Sequence, residues 1–482
     1  MIHPTLRTLV PCVFALSLAA VAHANGSVNE LTPSGGEDTA QLQAALTKCS
    51  QQRKPCNIRL GAGVFHTDVL LVSTAFNGSI TGRGESRTII RPITTRPLRS
   101  TANPYFNDPT LAEPYPVLLH FAAGGEIALS GFTMDFPATM TVMPYNHYLI
   151  GDDGLGITDY LQAAIMVEGD RSAELSMNHV TIKAVDVDNY WGSNVSNAVR
   201  FVGTVRLEGT LTDFTDETRK LQRGRFFASD NNIVRTGNGL WVQDANNTRV
   251  TIIDNDIDTR IYGVPLTDLG RSRILTAGNR IRSELDGVLV FQTFGRPAED
   301  PSDFIIALNR FVVNPGDRSI LGIANDAIAT VDDLAFTEDP IGGTLLANVD
   351  IWGNDIRIDG NTDSGVEIFS DGPGRIRVFG NRVHGNPTNE SGIYVDYSDG
   401  TVVAGNDLRA LDPPFGDVAL RANSSNCNVF EPGDTFTNLG TNNQVVGVPK
   451  ALPEEETAAA SLAKSAGAVT KRAPFRPGFS RR

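Results

Sequence analysis

The chain has 482 residues, 41% of them hydrophobic and 20% charged, which is enough apolar material for a sizeable core and length for one large domain or about three ordinary ones. A formal net charge of −14 argues against nucleic acid as a general partner, because phosphate binding draws on clustered Lys and Arg, and an anionic substrate would need a locally basic cleft. Acidity of this size also has an ordinary explanation in solubility.

The chain opens with MIHPTLRTLVPCVFALSLAAVAHANG, which has a basic Arg7, an apolar run from Leu9 to Val21 and the small-x-small string Ala22-His23-Ala24. This predicts a secretory signal peptide over residues 1–24, since the run is shorter than the roughly 20 residues a spanning helix needs. No other membrane segment is predicted, and a secreted or periplasmic location follows. Cys12 lies inside the leader. Of the other cysteines, Cys49 and Cys56 close a short loop and are expected to pair in an exported protein, leaving Cys427 single. They show no metal-ligand spacing and no metal is predicted; calcium has no supporting motif, and no other cofactor is indicated.

The domain predicted over residues 25–449 starts with GGEDTAQLQAALTKC, where Asp38 or Thr39 starts a helix that places Leu42, Ala45 and Leu46 on one face. Beyond it a phrase recurs: Asn, any residue, apolar residue, at Asn178, Asn231 (followed by Asn232), Asn255, Asn279, Asn309, Asn354, Asn381 and Asn406. The spacing is 24 from Asn255 to Asn279, then 27 and 25 from Asn354 through Asn381 to Asn406, with longer gaps where a coil carries an insertion. Each phrase ends an alternating strand, and a second strand family follows, opening on Gly239, Gly263, Gly287, Gly365 and Gly392. Short strands in units of about 24 residues without crossover helices predict a parallel β-solenoid rather than a sandwich. The asparagines are read as scaffold, because an amide both donates and accepts and can bridge equivalent positions of stacked coils. The helix then caps the open first coil.

Glu37-Asp38-Thr39-Ala40-Gln41-Leu42-Gln43-Ala44-Ala45-Leu46, Leu60-Gly61-Ala62-Gly63-Val64-Phe65 and Ile80-Thr81-Gly82-Arg83-Gly84, with the later asparagine coils, resemble the pectin-lyase-like superfamily of right-handed parallel β-helices across roughly residues 35–445. The resemblance implies that fold and leaves activity open, because the superfamily includes polysaccharide lyases, hydrolases and epimerases as well as adhesins and phage tailspikes. Asn361-Thr362-Asp363 is similar to an element of the polygalacturonases, but no Asp-Asp, Gly-His-Gly or Arg-Ile-Lys follows at suitable positions, and the Asp-Pro-His-Glu string of alginate epimerases is absent. Asn361 to Gly365 is therefore read as a turn.

Alternation in the glycine-led strands places Trp241, Gln243, Pro265, Thr267, Leu289, Phe291, Glu367, Phe369, Tyr394 and Asp396 outward, and Arg421 joins them through DVALR. Trp241, Gln243, Phe291, Phe369 and Tyr394 are the candidate sugar-binding residues, provided that they line a groove and do not lie packed beneath inserted segments. Glu367 and Asp396 are the candidate carboxylate pair of a glycoside hydrolase, predicted to stack on adjacent coils at a retaining separation. For a lyase, Arg421, Arg200 or Lys220 would stabilise the developing charge. Two insertions supply further candidates: Tyr145, His147, Tyr148, Asp152 and Asp153 in one, with His147 a possible base, and Tyr190, Trp191, Arg200, Lys220 and Arg223 in the other. Asp371 and Asp399 follow Ser in S-D-G turns. Residues 450–482 are read as a flexible, basic-ended tail. Two functions are expected: a secreted polysaccharide-active enzyme, lyase or hydrolase, or a non-catalytic carbohydrate-binding or surface-structural β-helix. The sequence leaves the polymer and the oligomeric state open.

Overall fold

A computed structural model of the chain describes residues 28–451 apart from 69, 73, 94–116, 139–162, 170–171, 188–191, 204–222, 244, 268, 293–301, 315–324, 333–346, 361, 370–374, 388–390, 412–415, 423, 431–434 and 447–449. Every pairing between its strands is parallel, and successive coils stack into a right-handed parallel β-helix, as the sequence predicts. A typical coil has three strands. Stack one includes Thr248–Ile253, Arg273–Ala277, Ser302–Ala307, Ala347–Trp352 and Ile376–Phe379. Stack two includes Asp256–Thr259, Arg280–Ser283, Arg310–Val313 and Asp355–Gly360. Stack three is a thirteen-stranded sheet that runs from Leu70–Val72 through Asn238–Gln243, Val264–Thr267, Val288–Gln292, Ile328–Asp332, Val366–Phe369, Ile393–Asp396 and Val418–Leu420 to Lys450–Ala451. That last strand carries the stack two residues past the predicted end of the domain; residues 452–482 lie outside the described region.

The interior is a column of aliphatic and Phe side chains contributed by all three stacks, for example Val250, Ile252, Ile257, Val264, Leu266, Val288, Val290, Val366 and Ile368. Period-two alternation is what lets such short strands feed one core.

The asparagine phrases form a continuous ladder at the corner between stacks one and two. The Nδ2 group of Asn231 donates to Oδ1 of Asn255 at 2.9 Å, Asn255 to Asn279 at 2.9 Å, Asn279 to Asn309 at 2.9 Å, Asn309 to Asn354 at 3.1 Å, Asn354 to Asn381 at 2.9 Å and Asn381 to Asn406 at 3.0 Å. Each Oδ1 also accepts the backbone N–H of the preceding rung, as from Asn231 to Asn255 at 3.0 Å. Asn178 does not belong. It pairs in register with Ser229 and donates to Ser229 Oγ, whereas the rung above Asn231 is Val180, whose N–H Asn231 Oδ1 accepts at 3.0 Å.

The glycines that open stack three have a steric cause. A Cβ on Gly263 would meet the Gly287 carbonyl oxygen and Ile281 Cγ2, each at 2.5 Å, and on Gly287 it would meet Phe311 Cδ1 at 2.5 Å and the Ala327 oxygen at 2.6 Å. The corner from stack two into stack three brings the backbone too close to the next coil for a side chain.

The helix Thr39–Ser50 covers the first coil with Leu42, Ala45, Leu46 and Cys49, and Cys49 is bonded to Cys56. Gln43 satisfies the open edge of the first strand in stack three, its Nε2 donating to Leu71 O at 2.6 Å and its Oε1 accepting Leu71 N–H at 2.9 Å. Asp38 precedes the helix without capping its backbone, and its carboxylate accepts the N–H groups of Ser34 and His66 and the side-chain amide of Gln41.

Candidate active site

Stacks one and two alternate buried and exposed residues, as a solvated sheet face should. Strands of stack three are buried on both faces. Its outward side carries a second apolar cluster separate from the core, with Met166, Leu289, Ala329, Val331, Phe369, Tyr394 and Ala419 among its members.

Register resolves this outward side into two columns. One runs His120, Met166, Arg200, Trp241 and later Leu289, Ala329, Glu367, Tyr394, Ala419; the other runs Glu168, Val202, Gln243, Thr267, Phe291, Val331, Phe369, Asp396. The outward placement deduced from alternation thus agrees with the structure. The expectation of an open aromatic groove does not, because Trp241, Phe369 and Tyr394 are buried and Phe291 is half-buried.

The polar residues of this side gather at two places, separated by the apolar middle. Toward the C-terminus lie Glu367, Asp396 and Arg421, with relative exposures of 1%, 8% and 8%. Glu367 and Asp396 are not stacked as predicted. Glu367 is in register with Tyr394, and Asp396 with Phe369, so the two carboxylates are diagonal neighbours. Their backbones are therefore roughly 8 Å apart instead of one strand spacing of about 4.8 Å. Arg421 lies over the Tyr394 ring at 5.5 Å, Asp396 Oδ1 accepts the Tyr397 N–H at 3.0 Å, and the Phe369 and Tyr397 rings meet at 4.9 Å.

Beside Glu367 is a carboxyl group that the sequence reading missed. Asp326 is fully buried, and its Oδ1 accepts the Ser364 N–H at 2.8 Å. Its side chain reaches that of Glu367, and burial, then the charges of Glu367, Asp286 and Asp363, raise its pKa well above the usual carboxylate range. With Asp326 ionised its Oδ2 lacks a donor; a proton held on Asp326 removes both the unmet acceptor and the repulsion. Asp286 and Asp363 cap the adjoining turns, accepting the N–H groups of Asp326 at 3.0 Å and Asn325 at 3.3 Å. Aligning the coils on Asp286-Gly287-Val288, Asp326-Ala327-Ile328 and Ser364-Gly365-Val366 would have put the two aspartates in one column; reading only the strands passed over them.

Toward the N-terminus, His120 Nε2 meets Glu168 Oε2 at 3.0 Å, Arg200 donates from Nε to Gln243 Oε1 at 2.9 Å and lies 4.7 Å from the Trp241 ring centroid, and Trp241 Nε1 donates to Thr267 Oγ1 at 3.0 Å. His120 and Glu168 were also missed, the first hidden in the unbroken apolar string VLLHF. Five strand spacings separate Arg200 from Glu367, about 24 Å, so of the cations offered for a lyase Arg421 lies with the carboxylates and Arg200 does not. His147, Tyr145, Tyr148, Asp152, Asp153, Tyr190, Trp191, Lys220, Asn361 and Asp371 lie outside the described residues. Among the described residues no group of three or more His, Cys, Asp or Glu is arranged to hold a metal ion.

An aromatic row open to solvent does exist, but on stack one. Trp352 and Phe379 are in register with their rings nearly parallel at 6.2 Å, and the same column continues through Ala404 to Phe430 and Val446, with Phe379 37% and Phe430 41% exposed.

No family model matches the chain, and no curated protein matches it. Among solved structures, the chain is similar to DFA-IIIase from Arthrobacter chlorophenolicus A6 without its lid, at 16% identity and a TM-score of 0.43, covering 88% of this chain and 100% of that one. It is similar to polygalacturonase from Erwinia carotovora ssp. carotovora at 11% identity and a TM-score of 0.38, covering 89% and 97%. It is also similar to the surface protein and adhesin PfbA of Streptococcus pneumoniae at 13% identity and a TM-score of 0.37, covering 87% and 100%. The fold is a right-handed parallel β-helix.

Proposed function

We propose that this protein is an exported polysaccharide-active enzyme, with its reaction centre on the outward side of stack three at Asp326, Glu367, Asp396 and Arg421. The observation that carries the reading is the Asp326–Glu367 pair. A carboxylic acid kept protonated by burial and by a neighbouring carboxylate is what glycosidic-bond cleavage needs for protonation of the leaving oxygen. Asp396, diagonal to Glu367, is the second carboxylate, placed to activate a water or to attack the sugar directly. Arg421, held over Tyr394, orients a hydroxyl or carboxylate of the sugar. The Arg200–Trp241 stack with Gln243 is a more distant sugar contact on the same side. Export is supported by the leader of residues 1–24 and by the Cys49–Cys56 disulfide.

The test is incubation with a panel of neutral and uronate-rich polysaccharides, following reducing ends and the ultraviolet absorbance of unsaturated products. Hydrolysis predicts new reducing ends without unsaturation, abolished by Asp326→Asn and Glu367→Gln. Unsaturated products would replace hydrolysis by elimination at the same residues. The second reading, a non-catalytic carbohydrate-binding protein, is favoured by the exposed row of Trp352, Phe379 and Phe430, and is supported if no polymer yields new ends while the protein is retained on one of them.

A further inference from the structure

Stack one also carries a ladder of arginines. Arg225, Arg249 and Arg273 are in register on three consecutive coils, one strand spacing apart, and all three are exposed. Like charges directly opposite across strands destabilise a sheet, and a second arginine step, Arg280 on Arg310, has each member paired with an aspartate, Asp256 at 3.9 Å and Asp355 at 4.0 Å. Arg377 stacks on Asp350 and is paired with it at 2.6 Å, and in stack two Asp256, Arg280, Arg310, Asp355, Arg382 and Asp407 mix the two signs along one column. The ladder ends on Glu174 above Arg225 and Asp303 below Arg273, yet among the described residues none of the three guanidinium groups forms an ion pair. A protein of net charge −14 therefore keeps three adjacent unpaired guanidinium groups on one face, in a row along the solenoid axis bounded by Glu126 and Glu174 at one end and Asp303 at the other.

We propose that Arg225, Arg249 and Arg273 form a binding site for a linear anionic polysaccharide, separate from the centre on stack three. Anionic groups repeated along a flexible polymer match a rail of cations repeated along the coils, and their approach relieves the repulsion that the empty ladder bears. On the same face, farther toward the C-terminus, the row of Trp352, Phe379 and Phe430 gives apolar contact to a polymer laid along the axis. The site thus anchors the protein to an acidic polymer, whichever bond the other face acts on.

The experiment is equilibrium binding of the full-length protein to polygalacturonate, to dextran sulfate and to uncharged dextran over a range of salt, with single-stranded DNA as competitor. The carboxylated and sulfated arms establish which anion is preferred. Binding to either anionic polymer and not to dextran is expected, with the slope of log affinity against log salt falling by roughly one for each arginine replaced. Arg249→Glu should weaken binding at least about tenfold, whereas Arg249→Lys retains most of it and Asp326→Asn leaves it unchanged. Arg249 is a surface residue, and unaltered circular dichroism of the variants checks their folding. Equal affinity of Arg249→Glu and wild type, or retention of neither anionic polymer, overturns the proposal. Stronger binding of DNA than of both polysaccharides would overturn it in favour of nucleic acid. Loss of activity in Asp326→Asn with binding intact separates this site from the reaction centre.

Discussion

Asn231 and Asn232 are chain neighbours of one residue type, and the fold gives them opposite circumstances. Asn231 is buried: its Oδ1 accepts the Val180 N–H at 3.0 Å, and its Nδ2 donates to Met177 O at 3.1 Å and to Asn255 Oδ1 at 2.9 Å. Asn232 is exposed at the start of its strand. Replacing Asn231 by Ala leaves the Val180 N–H buried without a partner, which costs about 1–3 kcal/mol, and removes two further hydrogen bonds of about 0.5–1.5 kcal/mol each. Asn255 Oδ1 keeps the Asn231 N–H, so the total is about 2–6 kcal/mol. Replacing Asn232 by Ala should stay within about 0.5 kcal/mol. In urea unfolding followed by circular dichroism, with an m value of about 3 kcal/mol/M, Asn231→Ala should move the midpoint by about 0.7–2 M and Asn232→Ala by under 0.2 M. Equal midpoints for the two variants would show that the ladder does not support the coil.

Gly263→Ala should lower the melting temperature, because its Cβ would meet a backbone oxygen and Ile281 Cγ2 at 2.5 Å, at a cost of about 1–3 kcal/mol; an unchanged melting temperature would refute the steric origin of the glycine column. The raised pKa of Asp326, caused first by burial and then by Glu367, Asp286 and Asp363, has a definite sign. The folded state holds this proton more tightly than the unfolded chain, so the stabilisation is complete below the unfolded aspartate value of about 3.9 and is lost as pH rises through the folded value. Asp326→Asn should therefore gain thermal stability relative to wild type as pH increases from 4 to 8; a difference independent of pH would refute a proton held on Asp326.

The repeat was legible because its cause is local. An asparagine at each corner and a glycine at each strand start reflect constraints that every coil meets afresh, so the sequence shows them as periodic letters. Alternation likewise assigned Trp241, Glu367 and Tyr394 to the outward side correctly. What it left open was which coil-to-coil register obtains, and that is why Glu367 and Asp396 were placed face to face when they are diagonal. Asn178 misled because the phrase matched two residues out of register with its rung. Asp326 escaped because its position becomes meaningful only when its coil lies against that of Glu367. The exposed row of Trp352, Phe379 and Phe430 went unremarked on stack one, where each aromatic ends a strand whose role was read as scaffold.

The asparagine ladder also has a direction. Each rung's N–H is received by an amide that lies later in the chain, by 24 residues from Asn231 to Asn255 and by as many as 45 from Asn309 to Asn354. Each corner is thus completed only by the following turn, which answers two donors of the rung before it, the backbone N–H and one amide hydrogen. At the N-terminal end, where no earlier strand of stack three lies among the described residues, the helix answers the first strand of that stack in its place through Gln43.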